Sequence, residues 1–87
     1  MINGREIVLD ILLEVLEKRA FSHIVIRQAL EKYGYVSKQE RAFLSRLAQG
    51  SVERKIELDA RINQVSSVNV MKMKPVIRNI LRMTAYQ

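Results

Sequence analysis

Residues 4–18, Gly-Arg-Glu-Ile-Val-Leu-Asp-Ile-Leu-Leu-Glu-Val-Leu-Glu-Lys, restrict the fold more than any other stretch of the chain. Read at helical period, Glu6, Asp10, Glu14 and Glu17 fall in one polar stripe. Ile7, Val8, Leu9, Ile11, Leu12, Leu13, Val15 and Leu16 fill nearly everything else. A helix that is apolar around most of its circumference must be covered on several sides, so this segment is expected at the centre of the molecule. Asn3 stands where an N-cap is needed, and Glu6 three positions later completes a capping-box-like pair.

The other segments also read as helices, and no run alternates with period two. A second helix is expected over residues 23–33, with Ser22 as N-cap, Phe21 and Ile26 as a hydrophobic staple, and Gly34 just past its end. Ser37 and Glu40 form a capping box opening a long third helix over residues 38–64. Its buried stripe would be Phe43, Leu44, Leu47, Ala48, Val52, Ile56, Leu58 and Ile62. Gly50 lies inside that pattern at a cost of about 1 kcal/mol relative to Ala, which a close helix–helix approach would explain better than a break. Residues 65–74 form a connector whose Val68, Val70, Met71 and Met73 should pack on the body or make a short helical turn. Pro75 then suits the first position of a last helix, with Val76, Ile77, Ile80, Leu81 and Met83 or Thr84 following at helical spacing and Arg78 and Arg82 sharing one face. No Gly, Asn or Pro closes it, as expected of a chain continuing into a longer unit. The reading is an all-α bundle of about four to five helices, divided into a three-helix bundle over 1–64 and a connector plus helix over 65–87.

Chemistry of the catalytic kind is thin. The chain has no cysteine and a single histidine, His23, so neither disulfides nor a zinc site can staple it. His23 lies in the first turn of a helix, and a surface or structural role is expected. The carboxylate ladder of the first helix reads as a solvated face rather than paired catalytic acids. Methionines 71, 73 and 83 read as core or interface filler. No phosphate-binding glycine loop occurs. Catalytic residues and metal ligands are therefore expected to be none. No apolar run approaches the ~20 residues of a membrane span, and the opening Met-Ile-Asn-Gly-Arg-Glu is not a signal peptide. A cytoplasmic protein without membrane contact is the default expectation.

Charge is unevenly placed. Residues 1–59 hold ten basic and nine acidic groups, whereas residues 60–87 hold five basic groups and no acid. Two explanations stand: a polyanion partner near Arg61, Lys72, Lys74, Arg78 and Arg82, or a basic face whose balancing acids lie elsewhere. Arg78 has Glu57 and Asp59 as further candidates for pairing. Of five aromatic residues, Tyr33, Phe43 and Tyr86 read as core and Phe21 and Tyr35 as exposed at loop edges. That balance favours contact with an RNA backbone over base reading.

Four pieces, taken in order and spacing, resemble a known family. They are Arg-Glu-Ile-Val-Leu-Asp-Ile-Leu-Leu from Arg5, Lys-Gln-Glu-Arg-Ala-Phe-Leu from Lys38, Leu-Ala-Gln-Gly-Ser-Val-Glu-Arg from Leu47 with Leu58-Asp59 and Ile62-Asn63 beyond, and the closing Ile77 to Gln87. The chain resembles the NusB-like helical domain, which occurs as a stand-alone transcription antitermination factor and as the N-terminal domain of 16S rRNA cytosine-C5 methyltransferases of the Sun/RsmB type. The resemblance implies RNA binding, with rRNA as partner, and a second bundle completed by helices after Gln87. Of the arginines that the antitermination branch carries at its N-terminus, only Arg5 matches. Ala20-Phe21-Ser22 and Tyr86-Gln87 are more similar to the methyltransferase branch. On that branch S-adenosylmethionine and the catalytic cysteines belong to a separate domain, so no cofactor is expected in this chain. The RNA-binding residues implied are Arg5, Lys72, Lys74, Arg78 and Arg82, with Arg82 lying inside the core-facing motif. A stand-alone antitermination factor acting with a ribosomal-protein partner, and a helical protein–protein module, are the alternatives. Self-association as a homo-oligomer through the apolar face of the last helix is also expected.

Overall fold

The computed structural model describes residues 4–87, so the expected cap at Asn3 lies outside the described residues. Five α-helices succeed one another: α1 (Gly4–Leu12), α2 (Ser22–Lys32), α3 (Lys38–Glu53), α4 (Lys55–Val65) and α5 (Pro75–Tyr86). Among the described residues there is no strand. α1 runs directly into a π-helical turn, Leu13–Glu17, and a single 3₁₀ turn, Val70–Lys72, interrupts the connector before α5.

α1 is central, as its composition requires. Ile7, Val8, Ile11 and Leu12 are buried against Ile26 of α2, Leu44, Leu47 and Ala48 of α3, and Met83 of α5. Burying side chains of this size contributes about 1.5–3 kcal/mol each, which makes this cluster the main source of stability. α5 therefore shares the core of α1, α2 and α3. Tyr86 at its end packs against the same cluster.

Local chemistry explains most boundaries. The Ser37 hydroxyl accepts the Glu40 N–H at 3.1 Å and starts α3. Pro75 takes the first position of α5, with Lys74 before it in extended conformation. In the connector, the Asn63 side-chain oxygen accepts the Val70 N–H at 2.8 Å and the Asn69 side chain caps Met71 at 2.9 Å. These bonds form the short helical turn and bury Val70.

Four expectations are corrected. The long third helix is two helices, because Arg54 (φ −104°, ψ 19°) leaves helical geometry between α3 and α4. The re-aimed α4 buries Leu58 and Ile62 but leaves Ile56 84% exposed, so Ile56 is not part of the core stripe. Phe43 is 43% exposed and does not belong to the core. At α2 the N-cap is Phe21, whose carbonyl accepts the Val25 N–H at 3.0 Å, and Ser22 is already helical, so its hydroxyl does not cap. Gly50, by contrast, marks a close approach as expected: a Cβ there would fall on the Tyr86 ring. The left-handed residue beside α2 is Arg19 (φ 61°), which turns the chain between the π turn and that helix, while Gly34 does not adopt positive φ.

Candidate nucleic-acid interface

The π turn decides where the charges go. Lys18 N–H donates to the Leu13 carbonyl at 3.2 Å, a bond one residue wider than the α-helical one. One extra residue in the turn rotates the downstream residues by about 100°. Glu17 is thereby lifted out of the exposed Glu6–Asp10–Glu14 ladder and turned toward α5. Its side chain is only 15% exposed. The expectation that all four carboxylates form one solvated face fails at this residue.

Glu17 is the hub of a buried polar network. One of its oxygens accepts from Arg78 Nη2, and the other accepts from Arg78 Nε at 2.9 Å, Asn79 Nδ2 at 2.8 Å and Arg82 Nη1 at 3.3 Å. Arg82 also makes a two-pronged contact with Asp59, Nε to Oδ1 at 2.7 Å and Nη2 to Oδ2 at 2.9 Å. Asn79 ties the set together by accepting from Arg82 at 3.0 Å and donating to the Pro75 carbonyl at 2.8 Å. Arg78 Nη1 reaches back to the carbonyls of Met71 and Met73, both at 3.3 Å, which fastens the connector. Two guanidinium groups face two carboxylates, so the network is close to neutral. The Arg78 hydrogen bond is the main reason that the Glu17 carboxyl is held down to about 2, from an ordinary 4.5, with Asn79 adding to it and burial opposing it. In return Glu17 pushes the Arg78 guanidinium up.

This geometry corrects the charge reading. Arg82 is 1% exposed and spends its donors on Asp59, Glu17 and Asn79, so it is out of reach of an RNA phosphate. Arg78 is similarly engaged, with Glu17 as its partner and neither Glu57 nor Asp59 hydrogen-bonded to it. Glu57 instead stands near Arg54 and Arg61, at 3.8 and 3.9 Å on the surface. Lys72 and Lys74 are exposed and make no ion pair among the described residues. Arg5 Nε donates to the Gln87 side chain at 3.3 Å, beside the C-terminal end of α5. Lys74 sits at the opposite end of that helix, roughly 18 Å away along its axis. The five residues expected to bind RNA thus separate into a buried pair, a connector pair and a distant arginine. Further cations are exposed on α2 and α3: Arg27, Lys38, Arg41 and Arg46.

An all-helical fold in which Arg82 of α5 faces the core agrees with what the NusB-like resemblance implies. The NusB family pattern matches residues 2–87. The chain belongs to the NusB family. Membership carries an all-α, RNA-binding and non-catalytic domain type. Among curated proteins it is similar to the probable ribosomal RNA small subunit methyltransferase B of Synechocystis sp., at 30% identity over 87 residues, all of this chain and 19% of that protein. The protein of the same description from Bacillus subtilis is 29% identical over 83 residues, 95% of this chain and 18% of its own length. The chain thus spans about a fifth of the curated relatives it matches. No solved structure matches it. Among the described residues of this NusB-family chain, no group of His, Asp and Glu could hold a metal ion, and no helix is long and apolar enough to cross a membrane.

Proposed function

We propose that this NusB-family domain docks a ribosomal RNA cytosine-C5 methyltransferase on 16S rRNA in the cytoplasm, with S-adenosylmethionine and the methyl transfer handled by a separate catalytic domain. The observation that carries the reading is the match of 100% and 95% of the chain to two probable rRNA methyltransferases that are about five times longer. Lys72 and Lys74, held on a connector that Arg78 and Asn63 brace, supply phosphate contacts there. Arg5 supplies a contact at the far end of α5. Fluorescence anisotropy with a labelled 16S rRNA fragment, titrated at several salt concentrations, tests this. Lys72→Glu with Lys74→Glu should weaken binding at low salt and flatten the salt dependence, by ~0.7–0.9 in log–log slope for each phosphate that is no longer neutralised. Absence of RNA binding at any salt would overturn the proposal.

We also propose that the chain self-associates. Val76, Ile77, Ile80 and Leu81 form an exposed apolar stripe on α5, of a kind that tends to be covered by a partner. Light scattering at high protein concentration should report a mass above 10.1 kDa, reduced to the monomer by Ile80→Glu. A monomer at every concentration would refute it.

A further inference from the structure

The connector between α2 and α3 is five residues long, so the two helices run antiparallel, and a groove lies between them. It encloses about 640 Å³ and is lined by residues from His23 to Glu31 on α2 and from Lys38 to Gln49 on α3. Ile26, Leu30 and Ala42 give it an apolar floor. Arg27, Lys38 and Arg41 stand around the floor with Glu31 as the one acid of the lining. Arg41 donates to the Leu30 carbonyl at 3.0 Å, which fixes its guanidinium at the groove while using one of its five donors. Arg27 and Lys38 are exposed and have no ion-pair partner among the described residues.

One end of the groove carries an aromatic pair. Phe21 is 71% exposed, and its ring lies 6.2 Å from that of His23 at an angle of 44°. A large apolar ring left in water beside a cationic groove is the combination that single-stranded nucleic acid uses, bases stacking on rings while phosphates meet Arg and Lys. From the Arg41–Leu30 contact the groove runs about eight residues along α3 to Gln49, or roughly 12 Å. That is room for three or four nucleotides at ~3.4 Å spacing. An acidic peptide would satisfy the cations, but it would leave the open Phe21 ring unexplained.

We propose that the α2–α3 groove binds a short single-stranded RNA segment, its phosphates on Arg27, Lys38 and Arg41 and a base stacked on Phe21 and His23. The inference rests on the RNA-binding reading and adds a site that shares no residue with the connector lysines. The test is anisotropy with a labelled single-stranded 12-nucleotide RNA and a blunt RNA duplex, on the 87-residue chain and on surface variants checked for folding by circular dichroism. Arg27→Glu with Lys38→Glu should weaken single-strand binding at least tenfold at low salt and reduce the salt slope by about 1.4. Phe21→Ala should weaken it roughly fivefold or more with the slope unchanged, and Phe21→Trp should restore it. The duplex should be indifferent to Phe21. If single-strand binding survives these changes and falls only with Lys72→Glu and Lys74→Glu, the groove site is wrong and the RNA reading stands. If neither RNA binds, both fail. If a labelled oligo-glutamate peptide binds the groove and the single strand does not compete, the groove is a protein site and the proposal is overturned.

Discussion

Glu17→Gln tests the structural argument most directly. The substitution keeps the size of the side chain and removes the charge that two buried arginines share. Glu17 titrates at about 2 in the folded chain against an ordinary 4.5, and at about 1.4 kcal/mol for each tenfold in proton affinity the carboxylate form is worth about 3 kcal/mol. Removing one partner of a buried pair costs 3–5 kcal/mol in general, because the remaining charge is left uncompensated, so the two routes agree at about 3. A chain of this length holds roughly 4–13 kcal/mol in total, so the variant should lose a large fraction of its stability. The melting temperature should drop by roughly 12–24 °C. Urea unfolding followed by circular dichroism, at pH 7 and at steps down to pH 2, gives the free energies. A depressed carboxyl stabilises fully above pH 4.5 and loses that contribution as pH falls toward 2. The gap between wild type and Glu17→Gln should therefore be about 3 kcal/mol at pH 7 and close toward zero near pH 2. A gap below ~1 kcal/mol at pH 7, or one that stays constant down to about pH 2.5, would refute the assignment of Glu17 as the hub.

Two further substitutions probe the packing. Gly50→Ala should destabilise the chain by about 1 kcal/mol or more in urea, although Ala is the better helix former by about 1 kcal/mol, because its methyl group meets the Tyr86 ring; a gain in stability would show that the α3–α5 approach is looser than described. Arg19→Gly should stabilise by roughly 0.5 kcal/mol, since the left-handed conformation at φ 61° costs a non-glycine residue about 1 kcal/mol and glycine returns part of that through the unfolded chain. Thermal melting of the two proteins side by side measures it, and an unchanged or lower midpoint counts against strain at Arg19.

Much of the architecture was legible because it is written in local signals. Pro75, the Ser37–Glu40 cap and the apolar girth of α1 each act within a few residues, and each appears in the fold as read. The π turn was not legible. Leu-Glu-Val-Leu-Glu contains no glycine, proline or other breaker, and its residues suit an α-helix. What opens the turn is tertiary: two arginines on a helix about sixty residues away need a carboxylate. The break at Arg54 is similar, since no sequence signal marks it and its effect is to bring Leu58, Asp59 and Ile62 inward together. The charge reading misled for the same reason. Counting acids along residues 60–87 finds none, but the acids that neutralise Arg78 and Arg82 come from residues 17 and 59. Arg27, Lys38 and Arg46 on α2 and α3 were hidden by the opposite effect, because nearby acids along the chain cancel them in any local sum.

α5 shows why an amphipathic pattern alone leaves orientation open. Its face made of Val76, Ile77, Ile80 and Leu81 would be the natural one to bury, and it points outward, while Asn79 and Arg82 go in beside Met83. Burying a guanidinium is unfavourable by several kcal/mol unless its hydrogen bonds are met and its charge is matched. Both conditions hold only because Glu17 has been rotated inward by the π turn and Asp59 has been presented by α4. The inward face of α5 is thus chosen by the completeness of the network. Shape matters too, since the same rotation places Tyr86 over Gly50 and sets Arg78 against the connector carbonyls. Removal of Glu17 leaves Arg78 without a carboxylate, and removal of Asp59 leaves Arg82 to share Glu17 with Arg78, so the arrangement favours a single rotation of the helix over its neighbours. Phosphate binding cannot then be read from the arginines of α5. The proposed phosphate contacts are therefore cations outside the network: Arg5, Lys72 and Lys74 on the braced connector, and Arg27, Lys38 and Arg41 along the α2–α3 groove.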